Sequence, residues 1–217
     1  MLRDRARPEP RRGISRRPNH FASPPWASDA HRLQPRGRGA NPDAMTNPPS
    51  PPSPPATRES LLAFLDALGI KHRTVDHAPV FTVAEGDAVK DAMPGGHTKN
   101  LFLKSKKDEL VLISAHQDTQ VALNGLHRKL GTGRFSFGKP ELLQAALGVT
   151  PGSVTAFAIL NDPGRRVRFI LDQALMVHDV VNFHPLRNDA TTAIATEDLL
   201  TFVRALGREL EILDLTG

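Results

Sequence analysis

The chain contains no cysteine and no tyrosine, and one tryptophan in 217 residues. Without cysteine there is no disulfide framework, no thiolate nucleophile and no Cys-ligated zinc or iron–sulfur site. No apolar run approaches the roughly 18 residues of a membrane-spanning helix, and the amino terminus lacks the apolar core of a secretory signal. A cytoplasmic protein with no membrane partner is the expectation. The nine histidines include no His-x-x-x-His pair, so a zinc hydrolase finds no ligand set, and no Gly-x-Ser-x-Gly elbow exists. Acidic residues are scarce only at one end. Residues 1–56 hold 13 of the 19 prolines and 10 Lys+Arg against 4 Asp+Glu, a net +6, whereas residues 57–217 carry 18 against 19, a net −1. Basicity of the whole chain is therefore a property of its beginning.

That beginning is poor in aliphatic residues and cannot bury enough apolar surface to offset the entropy of ordering it. Residues 1–56 read as a disordered Pro/Arg-rich extension, or as an upstream start with Met45 the working initiator, and TNPPSPPSPPA as a polyproline linker. Residues 57–217 fit one domain with a sizeable core.

Periodicity and capping signals predict a helix over 57–68, capped by Thr57 and stopped at Gly69. A strand over 72–76 and a helix opened by a capping box at Thr82–Glu85 and running to about Ala92 come next. After Pro94-Gly95-Gly96, strands are expected over 98–105 and 109–115, then a helix from Asp118 or Thr119 to Leu130 and a strand over 134–137. Pro140 starts a helix that Gly148 ends. Strands over 154–160, 167–171 and 178–181, a helix over 196–206 and a strand over 209–213 complete the pattern. Hairpins mixed with helices read as α+β with a mixed sheet.

Residues 133–139, GRFSFGK, have the spacing of a phosphate-binding loop, but Pro140 stands where the magnesium-binding hydroxyl belongs, and the two phenylalanines suit a strand face. Four features remain as candidate chemistry. Alternation puts Lys99 on the face of Leu101 and Leu103, where desolvating an amine is costly unless an anion or carbonyl compensates; with Phe102 on the other face also apolar, a snorkelling lysine fits the same pattern. The segment Gly148-Val-Thr-Pro151-Gly152-Ser153 leads from a helix end into an apolar run. Its amides can converge on an oxygen, although an ordinary connection has the same sequence. The segment from Asn182 to Thr192 is a donor-dense loop holding His184 beside Pro185, and Asn161 is first a turn residue and second a ligand contact. Residues 90–140 carry nine Lys/Arg against four acids, a footprint for a phosphate backbone or a solvated surface.

Taken together, GGHTKNLFLKSKKDELVLISAH, GVTPGSVTAFAILND and NFHPLRNDATTAI resemble the YbaK-like superfamily of aminoacyl-tRNA editing domains, in its freestanding branch related to the prolyl-tRNA synthetase editing insertion. The resemblance covers roughly residues 57–216. It implies a barrel-like mixed sheet surrounded by helices, no cofactor and no metal, and hydrolysis of alanine mischarged on proline tRNA. The family's strand lysine falls on Lys99, with Asn100 beside it; its Gly-x-x-x-Pro-type loop corresponds to Gly148–Ser153, with Gly148 and Pro151 one residue closer; its histidine falls on His184. On this reading Lys99 grips the terminal phosphate or the ester, the Gly152 and Ser153 amides polarise the carbonyl, and Asn100, Gly148, Pro151, Asn161 and His184 line the substrate. The implied partners are the acceptor end of mischarged tRNA(Pro) and prolyl-tRNA synthetase. Two alternatives stand beside it: a deacylase for another small amino acid, such as Cys-tRNA(Pro), and a non-catalytic tRNA- or partner-binding module.

Overall fold

The structure, a computed structural model, describes residues 49–79, 89–90 and 92–216. The Thr82–Glu85 capping box and residues 1–48 of the expected extension lie outside them.

Helix α1 (Arg58–Ala67) begins where Thr57 and Ser60 cap each other's backbone, and it buries Leu61, Phe64 and Leu65. Each such side chain contributes about 1.5–3 kcal/mol on full burial. The linker is already anchored at Ala56, whose amide donates to Asn161 Oδ1 at 2.7 Å. The other elements in chain order are β1 (His72–Asp76), β2 (Gly96–Ser105), β3 (Leu110–His116), α2 (Leu123–Lys129), β4 (Phe135–Phe137), α3 (Pro140–Leu147), a 3-10 turn (Ala156–Asn161), β5 (Val167–Asp172), a second 3-10 turn (Gln173–Val177), β6 (Val180–Phe183), β7 (Ala190–Ala195), α4 (Thr196–Ala205) and β8 (Glu211–Leu213).

The strands form one mixed eight-stranded sheet ordered β1-β7-β6-β2-β3-β5-β8, with β4 on the second edge of β2. Strand β2 runs antiparallel to β3 and β4 and parallel to β6. The expected α+β class with a mixed sheet is therefore the observed one. One face of the sheet carries the main core, including Phe102, Leu112, Phe169, Leu171, Val181 and Phe183, packed against α1, α3, α4 and the first 3-10 turn. Edge-to-face rings bind this layer: Phe157 lies 5.6 Å from Phe183 and 5.4 Å from Phe202, centre to centre. The outer face has two smaller covers. Helix α2 covers Leu101, Leu103, Ile113, Ala115 and Ile170, and Val89 with Met93 covers Val75, Val180 and Ala193.

Three expectations change. The run 154–160 is a 3-10 turn, with Thr155 Oγ1 accepting from the Phe157 amide; its residues from Ala156 to Asn161 are all buried, and a run buried on every side has no period to tell strand from helix. Helix α2 starts at Leu123 with no side-chain cap, because Thr119 instead donates its hydroxyl to Asp172 in the neighbouring strand. The expected loop from Asn182 to Thr192 is shorter, spanning 184–189: Asn182 and Phe183 end β6, and Ala190 opens β7.

Candidate functional site

Strand alternation gives the site its floor. His97 pairs with Asn182 across β2 and β6, and Thr191 and Ala193 of β7 pair with Val75 and Arg73 of β1. All of these lie on the outer face, as do residues two positions further along each strand. Lys99 follows His97, His184 follows Asn182, and His77 follows Val75. Lys99 and His184 thus emerge on one face where β2 and β6 part. On β2 the outer-face residue before Lys99 is His97, under the Val89–Met93 cover through a 2.8 Å contact from Nε2 to the Met93 carbonyl. The one after it is Leu101, under α2. Lys99 is half-buried in the gap between the covers, opposite Ala115, and no described residue accepts from its ammonium.

His184 is held by its Nδ1, which donates to the Ala190 carbonyl at 2.9 Å. That bond fixes the neutral tautomer with a lone pair on Nε2. Burial pushes its pKa below the usual imidazole value, outweighing the opposite pull of the Ala190 carbonyl. Its ring stands 6.3 Å from that of His77, whose Nε2 meets Thr191 Oγ1 at 2.9 Å. Asn182 is 2% exposed; its amide nitrogen reaches the Met93 and Pro94 carbonyls at 3.5 and 3.4 Å, while its Oδ1 has no donor among the described residues. Asn182 and Thr191 lie in the donor-dense segment already singled out in the sequence, whereas His77 was not among its candidates. The signal was available in the period-two pattern from His72 onward.

Other expected site residues go elsewhere. Asn100 is on the core face, where it accepts from Ser114 at 2.6 Å, so it does not share a pocket wall with Lys99. Asn161 is a brace: besides accepting from Ala56 it donates to the Leu147 carbonyl at 2.8 Å, so both ends of its amide are tied to the scaffold. Gly148 ends α3 in the left-handed region, φ 66°, directly against that brace. The turn from Thr150 to Ser153 has Gly152 at φ 88°, the conformation a type II turn requires at its third residue. It is closed by the Ser153 amide donating to the Thr150 carbonyl at 3.0 Å. The Ser153 N–H is therefore engaged and cannot polarise a substrate carbonyl; the Gly152 N–H has no described acceptor. Pro151 and Gly152 are exposed. The turn approaches the His184 loop at Gly152, where a Cβ would come 3.5 Å from Asn188 Nδ2.

Among the described residues no three His, Asp or Glu side chains are grouped to hold a metal ion, and no helix is long and apolar enough to cross a membrane. A further pair, His116 and His178, stacks with ring centres 4.9 Å apart and planes 8° apart. Burial lowers the pKa of His178, aided by the neighbouring His116, and burial likewise lowers that of His97. Each of these imidazoles takes up a proton more readily in the unfolded chain, near the ordinary value of 6.5. Their neutral burial therefore supports the fold fully above that value and is lost as pH falls through the lower folded values. The melting temperature is expected to drop between about pH 7 and pH 5, as thermal unfolding at both would show, with a smaller drop in His178→Gln.

The architecture recurs in solved structures. A candidate trans-editing enzyme for prolyl tRNA synthetase matches 75% of this chain and 98% of its own with a TM-score of 0.58 at 19% identity, a likeness of fold. A single α+β domain built on one mixed sheet is thus the class that the fold defines. The aminoacyl-tRNA editing domain model matches residues 77–202, and the chain belongs to that family. Among relatives, the prolyl-tRNA synthetase associated domain-containing protein 1 of Bos taurus is 38% identical over 72% of this chain and 94% of its own. The prolyl-tRNA editing protein ProX of Acetoanaerobium sticklandii is 32% identical over 73% and 97%.

Proposed function

We propose that this chain is a trans-editing ester hydrolase that removes a mischarged amino acid from tRNA, alanine on proline tRNA above all. The carrying observation is the half-buried Lys99, without a partner among the described residues, in the gap between two covers and on the face that also presents His184. Family membership and relatives named for prolyl-tRNA editing support the substrate class.

An aminoacyl ester is already activated, so the site has mainly to position it and stabilise charge. The Lys99 ammonium faces the anionic end of the ligand, at the terminal phosphate or the ester carbonyl as negative charge develops there. Water adds to the carbonyl carbon, the carbon–oxygen ester bond breaks, and the ribose oxygen leaves with a proton, giving the free amino acid and an uncharged tRNA. His184 Nε2, kept neutral by burial, accepts from the amino acid's ammonium and orients it. Rejection of proline is steric, since a closed pocket excludes a ring far better than it senses a missing methylene. Prolyl-tRNA synthetase is the partner that would supply such a substrate.

Purified protein incubated with alanine-charged and proline-charged proline tRNA is expected to release alanine and spare proline. Release of neither, with intact salt-dependent binding, would make the protein a non-catalytic module; a panel including cysteine-charged tRNA reads the specificity.

A further inference from the structure

Few large apolar side chains are exposed among the described residues, and Phe137, 64% exposed, is one. Its place is informative. Phe137 pairs with Leu103, and the register puts it on the outer face, the face of Lys99. Four residues of strand and one strand spacing separate the two, about 14 Å at the usual dimensions. Phe135, two residues earlier on that face, is packed against the α2 layer, so Phe137 is the position of β4 that packing does not explain.

Cations flank it along β4 and its neighbours. A polar cleft of about 290 Å³ beside β4 is lined by Asn124, His127, Arg128 and Arg134, with Leu123 and Phe135, and by no carboxylate. The β2–β3 tip adds Lys106 and Lys107, the Lys106 amide donating to the Arg134 carbonyl at 3.0 Å, and Lys139 follows Phe137 two residues on. Of the nearby cations, Lys104 is paired with Asp108 at 2.7 Å and Lys129 binds carbonyls at the carboxyl end. Among the described residues no carboxylate pairs with Lys106, Lys107, Arg128, Arg134 or Lys139. An exposed ring amid unneutralised cations is the arrangement that binds single-stranded nucleic acid, the ring stacking on a base and the cations following the phosphates.

We propose that Phe137 is a stacking platform for an unpaired nucleotide of the RNA 3′ end whose terminal ester reaches Lys99, with Lys139, Arg134 and Arg128 holding the backbone. This rests on the reading of the chain as a tRNA deacylase for the identity of the RNA, but not for the platform itself. The ring adds what the basic patch lacks: a preference for single-stranded over duplex RNA.

The test uses the full chain and two uncharged RNA stems, one with an unpaired 3′ CCA end and one blunt. Wild type should bind the tailed stem more tightly. Phe137→Ala should weaken tailed-stem binding by between about fivefold and a hundredfold, the range of one base–aromatic stack, and leave blunt-stem binding unchanged. Phe137→Trp should restore it, and turnover of alanine esterified to adenosine alone should be the same in all three proteins. Equal affinity of Phe137→Ala and wild type for the tailed stem would overturn the proposal. So would a loss of self-association in Phe137→Ala without a change in RNA affinity, which would make the ring a contact between copies. If the protein hydrolyses no charged tRNA but tailed-stem binding still depends on Phe137, the deacylase reading falls and the platform stands. The substitution is at an exposed site and is compatible with folding.

Discussion

Replacing Lys99 by alanine is expected to lower single-turnover deacylation of Ala-tRNA(Pro) by about a hundredfold or more. The magnitude is that of removing one preorganised charge donor from the site of developing negative charge. Two features of the fold would preorganise such a donor. The strand fixes the stem, with Ala115 directly across, and the covers on either side leave Lys99 half-buried with no partner among the described residues. A surface lysine of the same charge would be screened within roughly 8–10 Å at ordinary salt and would lose little on removal. Lys99→Arg keeps the charge but not the compact shape of an ammonium, and intermediate activity is expected. Activity of Lys99→Ala close to wild type would remove the lysine from the mechanism while leaving family membership untouched.

The second large effect is on stability. Asp162→Ala is expected to destabilise the fold by about 3–5 kcal/mol, the range for breaking a buried ion pair from one side. Asp162 and Arg208 have side chains 1% and 6% exposed and meet at 2.9 Å. The carboxylate also accepts from the Val167 amide at 2.8 Å and the Arg166 amide at 3.1 Å, fixing the start of β5. Arg208 donates to the Val167 and Asp162 carbonyls as well. Truncating the aspartate leaves a guanidinium buried and two amides unsatisfied, whereas an exposed pair such as Arg187–Asp189 should be nearly silent. Chemical denaturation monitored on the full chain measures both variants, and a shift in melting temperature of about 6–20 °C is the calorimetric counterpart.

Where local chemistry decided local structure, the sequence was readable. Thr57 and Gly69 bracket α1, Pro140 and Gly148 bracket α3, and the alternation of β2 put Lys99 on the face it occupies. The parts that were not legible depend on distant partners. Nothing near Thr119 announces that Asp172, 53 residues on, takes its hydroxyl. Asn161 sits in a turn-like Asn-Asp-Pro-Gly string, and only the arrival of Ala56 and Leu147 makes it a brace. Ser153 has the exposed look of a turn donor until the turn closes on its own amide. Asn100 was grouped with Lys99 because they are adjacent, although adjacency in a strand is what separates two side chains most surely.

Strand β2 is clasped on both edges, by β3 along one side and by β6 and then β4 along the other. Its phase is therefore locked by three neighbours simultaneously. With Leu101–Ser105 held by β3 and β4, deleting the single residue between Lys99 and Leu101 would carry the amine to the core face. Point changes along this strand can be absorbed one at a time, but its length is as much a requirement for chemistry as any side chain it carries.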